Sequence, residues 1–387
     1  MRAAADSTRA LGLTMCTALV VGNMIGAGIF MLPASLAPYG MNAVPAWLIT
    51  TVGCVFVAWV FAGFARTFPD DDGPYAYTAR AFGGGVAFVL MWCYWVSTCV
   101  TNAVLATGVV GYLTDFFPVL AVNHSLAAVT ALSFLWLFVL INLRGARTAG
   151  WVQVVSTVVK LVPQAGIIAL GVWAFLAPHP QPVVHVPPTP TSLPGVIAAS
   201  NAPFADLFAR FLGPGSGKLL AAFVIVGALG CLNGWTLIIG ELTVSFARHG
   251  GFPRVLGNVN AHGAPLWGLV FPAALASLML IMNYNDSMAG AFTLLSVVVT
   301  ATNLPIYIGC ALAVLVLWRR RQIPRPGARE WRWIAAAALA AIYCVWASFG
   351  IGRKPLVQAL CVCVPGIVVY AVYWWISGRR EVVPARA

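Results

Sequence analysis

The sequence predicts an all-α, polytopic helical membrane protein of about ten transmembrane helices. Three observations carry this. Of the 387 residues, 61% are hydrophobic and only 8% charged, with a mean hydropathy of +0.89. That is too little charge for a soluble surface. The apolar runs are long and the polar loops between them short, a pattern that only helices satisfy in a bilayer at this run length. The arginines and lysines also gather in alternate loops.

The rule of about 20 apolar residues per crossing places spans at 12–37, 44–65, 85–113, 125–142, 150–176, 217–245, 266–282, 287–317, 333–349 and 355–377. The first run is too long for a signal peptide and no small-residue cleavage site follows it, so it reads as a permanent span. It contains "VGNMIGAGIFMLPASLA", with Gly22, Gly26 and Gly28 in seven residues and Pro33 beyond. Each glycine weakens a helix by about 1 kcal/mol, and proline costs more. Two readings are open. Either the helix is broken, its freed N–H groups offering a site for an anion, or the Gly22-x-x-x-Gly26 spacing serves close helix packing.

With a cytoplasmic N-terminus, that side receives Arg2, Arg9, Arg66, Arg80, Arg144, Arg147, Arg248, Arg254, the Arg319 to Arg332 cluster, Arg379, Arg380 and Arg386. The other side receives Arg210, Lys218, Arg353 and Lys354. Both termini are therefore expected inside. The net charge of +12 reflects this topology, and nucleic-acid binding is not expected, since the basic loops carry no such motif. The nine cysteines lie in or beside apolar spans and read as small packing residues; no metal is expected. Residues 177 to 216 are a proline-rich external segment ending in "PFADLFARFLG", an amphipathic helix at the interface. The chain is read as one transmembrane domain, 1–387, with five spans in 1–176 and five in 217–387. No nucleophile–base pair, phosphate loop or cofactor motif is visible, so neither an enzyme nor a cofactor is expected.

"GNMIGAGIFMLP" resembles the first span of the amino acid–polyamine–organocation transporters, especially their basic amino acid/polyamine antiporters. "DDDGPYAYTARAFG", "YWVSTCVTNAVLATGVVGYLTDFFP", "GCLNGWTLIIGE", "HGGFPRVLGNVNAHGAP" and "YCVWASFGIGRKPL" extend the likeness over most of the chain. The resemblance implies a LeuT-like fold with a broken first helix, shortened here by the equivalents of spans 6 and 7. It implies alternating-access exchange of a cationic amino acid for its decarboxylated amine, as in arginine for agmatine, at the cell inner membrane, in a homodimer. A neutral amino acid or putrescine/ornithine permease is an alternative. An inactive or partner-dependent remnant is another, because the second broken helix has no counterpart. A channel-like or structural membrane protein is a third.

Carried over by position, Met24, Ala27 and Gly28 would meet the substrate's carboxylate and α-amino group. Ala27 stands where a family serine would add a hydroxyl contact. Ser97, Thr98 and Asn102 would line the side-chain pocket, with inter-helix hydrogen bonding the plainer role. Trp235 would pack the substrate's aliphatic part or hold a guanidinium on its face. Lys160 lies about 15 Å inside the fifth span at 1.5 Å per residue. An ionisable residue at that depth is a functional candidate, here for proton coupling or as a fixed substitute for a bound cation; snorkelling is the alternative. Glu241 lies at similar depth and is expected to form a buried or proton-exchanging pair with Lys160, or else to contact Arg248.

Overall fold

The computed structural model describes residues 13–69, 73–176, 200–248, 251–283, 288–323 and 327–376. The proline-rich stretch, both termini with their arginines, and Asp70 to Asp72 lie outside the described residues. The helices are α1 (Leu13–Met24), α2 (Ala27–Leu36), α3 (Ala43–Thr67), α4 (Gly73–Phe82), α5 (Gly84–Leu113), α6 (His124–Asn142) and α7 (Ala146–Leu176). They continue as α8 (Pro203–Leu212), α9 (Pro214–Arg248), α10 (Leu266–Asn283), α11 (Met288–Arg319), α12 (Ala328–Phe349) and α13 (Arg353–Ile376). No strand occurs among the described residues; Val259 and Pro265 form an isolated bridge.

Among the described residues, eight helical stretches are long and apolar enough to cross a membrane. One of them, Val20–Thr67, takes in part of the expected first span together with the second. Leu266–Met282 is apolar but shorter. Every expected span falls on one of these helices, with ends shifted by a few residues as helix ends commonly are. The first span is interrupted between Met24 and Ala27.

The chain forms two compact, interleaved units. Unit 1 is built from residues up to Gly40, Cys99–Glu241 and Asn258–Leu295. Here α1 packs on α7, α6 on α10, and the amphipathic α8 on α2. Three glycines of α9 form a groove for α7. Cβ atoms at Gly227, Gly230 and Gly234 would meet Lys160 Cβ at 2.7 Å, Ser156 Oγ at 1.9 Å and Gln153 Oε1 at 2.9 Å. The pairs run in opposite directions, as two helices crossing the membrane in opposite senses require. Tyr112 donates to the Phe30 carbonyl at 2.8 Å, tying α5 to α2. Asn142 donates to Phe138 O at 2.8 Å and to Asn233 Oδ1 at 3.0 Å, giving α6 and α9 a polar link inside the apolar layer.

Unit 2 comprises Met41–Thr98, Leu242–Gly257 and residues from Ser296 on. Its core is the packing of α3 on α12. Phe64 is fully buried, stacks on Tyr77 at 4.4 Å and meets Trp333 edge-on at 5.4 Å. Trp333 spends its indole N–H on the Val60 carbonyl at 3.1 Å. Trp92 lies against Gly366 of α13 and donates to Val362 O at 3.2 Å.

Gly63 is where α3 comes closest to α12. A Cβ there would sit 2.1 Å from Trp333 Nε1, and that ring is buried and hydrogen-bonded. Gly63→Ala is expected to destabilise the protein by about 1–3 kcal/mol through overpacking. Gly171→Ala, at a helical position with nothing within 4 Å, should stabilise it by up to about 1 kcal/mol. Thermal melting of the two variants in detergent checks both signs.

Candidate functional site

The break in the first span is built by backbone groups that find partners outside the helix. An α-helix leaves its last four carbonyls without intrahelical donors. Of those in α1, Val21 O accepts from Ile25 N at 3.0 Å. Gly22 O accepts from Lys160 Nζ at 2.5 Å, and Asn23 O accepts from the Cys231 thiol at 3.7 Å. Gly26 is extended (φ −106°, ψ −169°) and precedes α2 with no side-chain cap, so the first N–H groups of α2 carry no side-chain acceptor from it. A half-helix N-terminus of this kind attracts negative charge.

The three glycines divide the two roles that the sequence left open. Cβ atoms at Gly22 would meet Gln153 Nε2 at 2.1 Å and Thr157 Oγ1 at 2.4 Å; at Gly26, Cys231 Sγ at 2.7 Å. Both serve close packing of α1 on α7 and α9. At Gly28 nothing lies within 4 Å, so packing does not require it. Met24 is 79% exposed. Ala27 begins α2; its side chain lies outside what the structure describes.

The remaining sequence-derived residues fall in both units. In unit 1, Asn102 is buried and its Oδ1 accepts from Thr236 Oγ1 at 3.3 Å, linking α5 to α9 one residue past the half-buried Trp235. Lys160 is fully buried. Glu241 is exposed, so it does not share the buried surroundings of Lys160 that the expected pair called for. In unit 2, Ser97 and Thr98 are buried and donate to their own helix, at Tyr94 O (2.6 Å) and Trp95 O (2.7 Å). Ser97 also bonds Asn303 Oδ1 at 2.7 Å.

Some residues were not anticipated. Gln153, Ser156, Thr157 and Lys160 form a polar stripe at i, i+3, i+4 and i+7 on α7, a helical period readable in "WVQVVSTVVK". Unit 2 contains a cavity of about 680 Å³ lined in part by Phe61, Tyr94, Asn303, Tyr307 and Tyr343. No short motif signals it, because its walls come from five helices, α3, α4, α5, α11 and α12, spread over about 300 positions of sequence. At the end of α5, outside the apolar span, burial and then the Asp206 carboxylate push Asp115 up to about 7, against the pull of Lys218. No cluster of His, Cys, Asp and Glu among the described residues is arranged to hold a metal.

Fold and site together define a multi-pass membrane protein of the transporter kind, with a broken span and an intramembrane lysine. Family comparison makes this specific: the amino acid permease model matches residues 11–198 and 191–373, and the chain belongs to that family. It is 27% identical to the cadaverine/lysine antiporter of Escherichia coli over 375 aligned positions, covering 79% of this chain and 83% of the relative. It is 24% identical to the putrescine transporter PotE of Escherichia coli over 432 positions, covering 96% and 97%. The Haemophilus influenzae putrescine transporter PotE is likewise 24% identical, over 421 positions. An alignment of 432 positions against 387 residues leaves at least 45 positions without a residue here. The two family matches meet at 191–198, in the proline-rich segment.

Two outcomes follow. Lys160→Met removes the donor from Gly22 O and should cost on the order of 1–3 kcal/mol, the price of an orphaned buried acceptor, read as a lowered melting temperature. Asp115 is held above its ordinary 3.8, so the packed state favours its protonated form. Its contribution is complete below about pH 4 and is lost as pH rises towards 7. Asp115→Asn should flatten the pH dependence of melting between pH 4 and 7.

Proposed function

We propose that this permease is a secondary active exchanger of a cationic amino acid for its decarboxylated amine. The observation that carries the reading is the break at Met24–Ala27: the N-terminus of α2 is uncapped by side chains, and Gly28 opens onto free space. A carboxylate suits such a helix terminus, and secondary transporters place substrates at half-helices near the midplane. In this reading Met24, Ala27 and Gly28 meet the amino acid head group. Asn102 and Trp235 face the side chain, with Ser97 and Thr98 supporting the α5 wall. Lys160 couples proton or charge to the inner half of the span, and Glu241 serves proton exchange from its exposed position.

Arginine and agmatine are the pair the motifs indicate; the relatives' names add lysine with cadaverine, and putrescine. Importing the amino acid and exporting the amine removes one proton equivalent, since decarboxylation consumes a proton. The basic-loop asymmetry supports insertion in the cell inner membrane with both termini cytoplasmic.

A second reading is supported by the 45 or more positions that the chain lacks relative to PotE: a permease remnant that is inactive or needs a partner. Proteoliposomes loaded with agmatine, cadaverine or putrescine and supplied with labelled arginine or lysine separate the two. Exchange that requires the internal amine is expected. Correctly inserted protein that exchanges none of these pairs overturns the exchanger and favours the remnant. Uptake of labelled neutral amino acids without internal amine would instead favour a neutral permease.

A further inference from the structure

The transport reading does not use the side-chain amides of Asn23 and Gln153. Gln153 is fully buried, and both its amide atoms, like both of Asn23, are buried without a hydrogen-bond partner. Such groups rarely stay unpaired. They also converge. The position of a Cβ on Gly234 lies 2.2 Å from Asn23 Oδ1 and 2.9 Å from Gln153 Oε1, which puts the two oxygens no more than about 5 Å apart. Two O–H···O bonds through one water span that distance. Gln153 Nε2 points the other way, 2.1 Å from the Cβ position of Gly22, whose carbonyl holds Lys160.

We infer that Asn23 and Gln153, with Gly234 between them, form a binding site for one buried water at the hinge of the broken span. The chemistry of the two converging oxygens selects the occupant. Both are acceptors, so it must donate twice. A metal cation only accepts electron pairs and would face the Lys160 ammonium. A halide cannot donate to the two oxygens. Water donates two hydrogen bonds and needs two to four polar partners, of which the amide oxygens supply two. The small residue at 234 is part of the site: any side chain there would strike both amide oxygens. The water would give the α1–α7–α9 junction a partner that can re-bond when α1 shifts.

The test does not depend on transport. Asn23→Leu and Gln153→Met each leave the other amide facing an apolar wall, and each should lower the melting temperature of the detergent-purified protein by at least about 3 °C. The double variant should lose less than the two single losses combined, because both ends of the bridge are gone. A density map at about 2 Å should show a peak within 2.7–3.2 Å of Asn23 and Gln153 polar atoms. Additive losses, a direct amide–amide bond in the map, or an anomalous peak at the site after bromide exchange would each overturn the proposal. Failure of substrate exchange with this peak present would count against the transport reading alone.

Discussion

The contact between Lys160 and the Gly22 carbonyl is what allows a span to be interrupted in an apolar medium. Backbone groups freed by a break have no water to turn to in the hydrocarbon layer, and each left bare costs on the order of 1–3 kcal/mol in measured proteins. Here the donor arrives from a second helix, 138 positions further along the chain. For its ammonium to reach Gly22, α7 has to lie flush against both α1 and α9. That explains the glycines at 22, 227, 230 and 234: each removes a Cβ that would push the polar stripe of α7 away. The break, the stripe and the groove are therefore one feature rather than three. They also account for a long charged side chain being wholly buried without snorkelling. A cation placed at the C-terminal end of a half-helix meets the negative end of its dipole.

How much of this was legible follows from which forces act locally. The spans were, because hydrophobic length is a property of each segment alone. The amphipathic α8 was too, since its period lies within ten residues. The interruption was visible as glycines in an apolar run, but the division of labour among them was not. Gly22 and Gly26 differ from Gly28 only in what lies opposite, and that is decided by α7 and α9. Lys160 stood out by depth; its partner, a backbone carbonyl, carries no residue identity and leaves no trace in sequence. Equal depth suggested a Lys160–Glu241 pair, yet depth fixes only one of two coordinates on a helix. Glu241 lies at an exposed position, whereas Lys160 is fully buried. Gln153 was readable in principle, one turn below Ser156 and Thr157 on the same face.

The positions that this chain lacks relative to PotE can be weighed against the same interface. Positions that the putrescine transporters possess and this chain lacks number at least 45, with the family match divided at 191–198. Yet α8, which follows at once, packs on α2, and Tyr112 holds the Phe30 carbonyl. The second half of the broken span, α2, thus keeps its support from α5 and α8. The first half, α1, keeps Lys160 and Cys231. Both halves of the break are therefore braced by residues that this chain retains.

The bracing also limits what Lys160 can do as a coupling group. A neutral amine retains N–H bonds, so deprotonation need not release the Gly22 carbonyl. What changes is the charge-dependent part: attraction to the end of the α1 dipole, worth about 0.3–2 kcal/mol depending on burial. That is enough to bias an equilibrium by up to roughly thirtyfold, since 1.4 kcal/mol is a factor of ten. It is not enough to drive the several-kilocalorie shift that a complete conformational switch demands. A carboxylate arriving at the α2 N-terminus would change this, because an anion across the break rewards the charged form of Lys160. Coupling would then belong to the substrate and the lysine jointly. In the proposed exchange a diamine, which brings no carboxylate, would not make that contact, and the difference would give an exchanger a physical means of telling its two substrates apart.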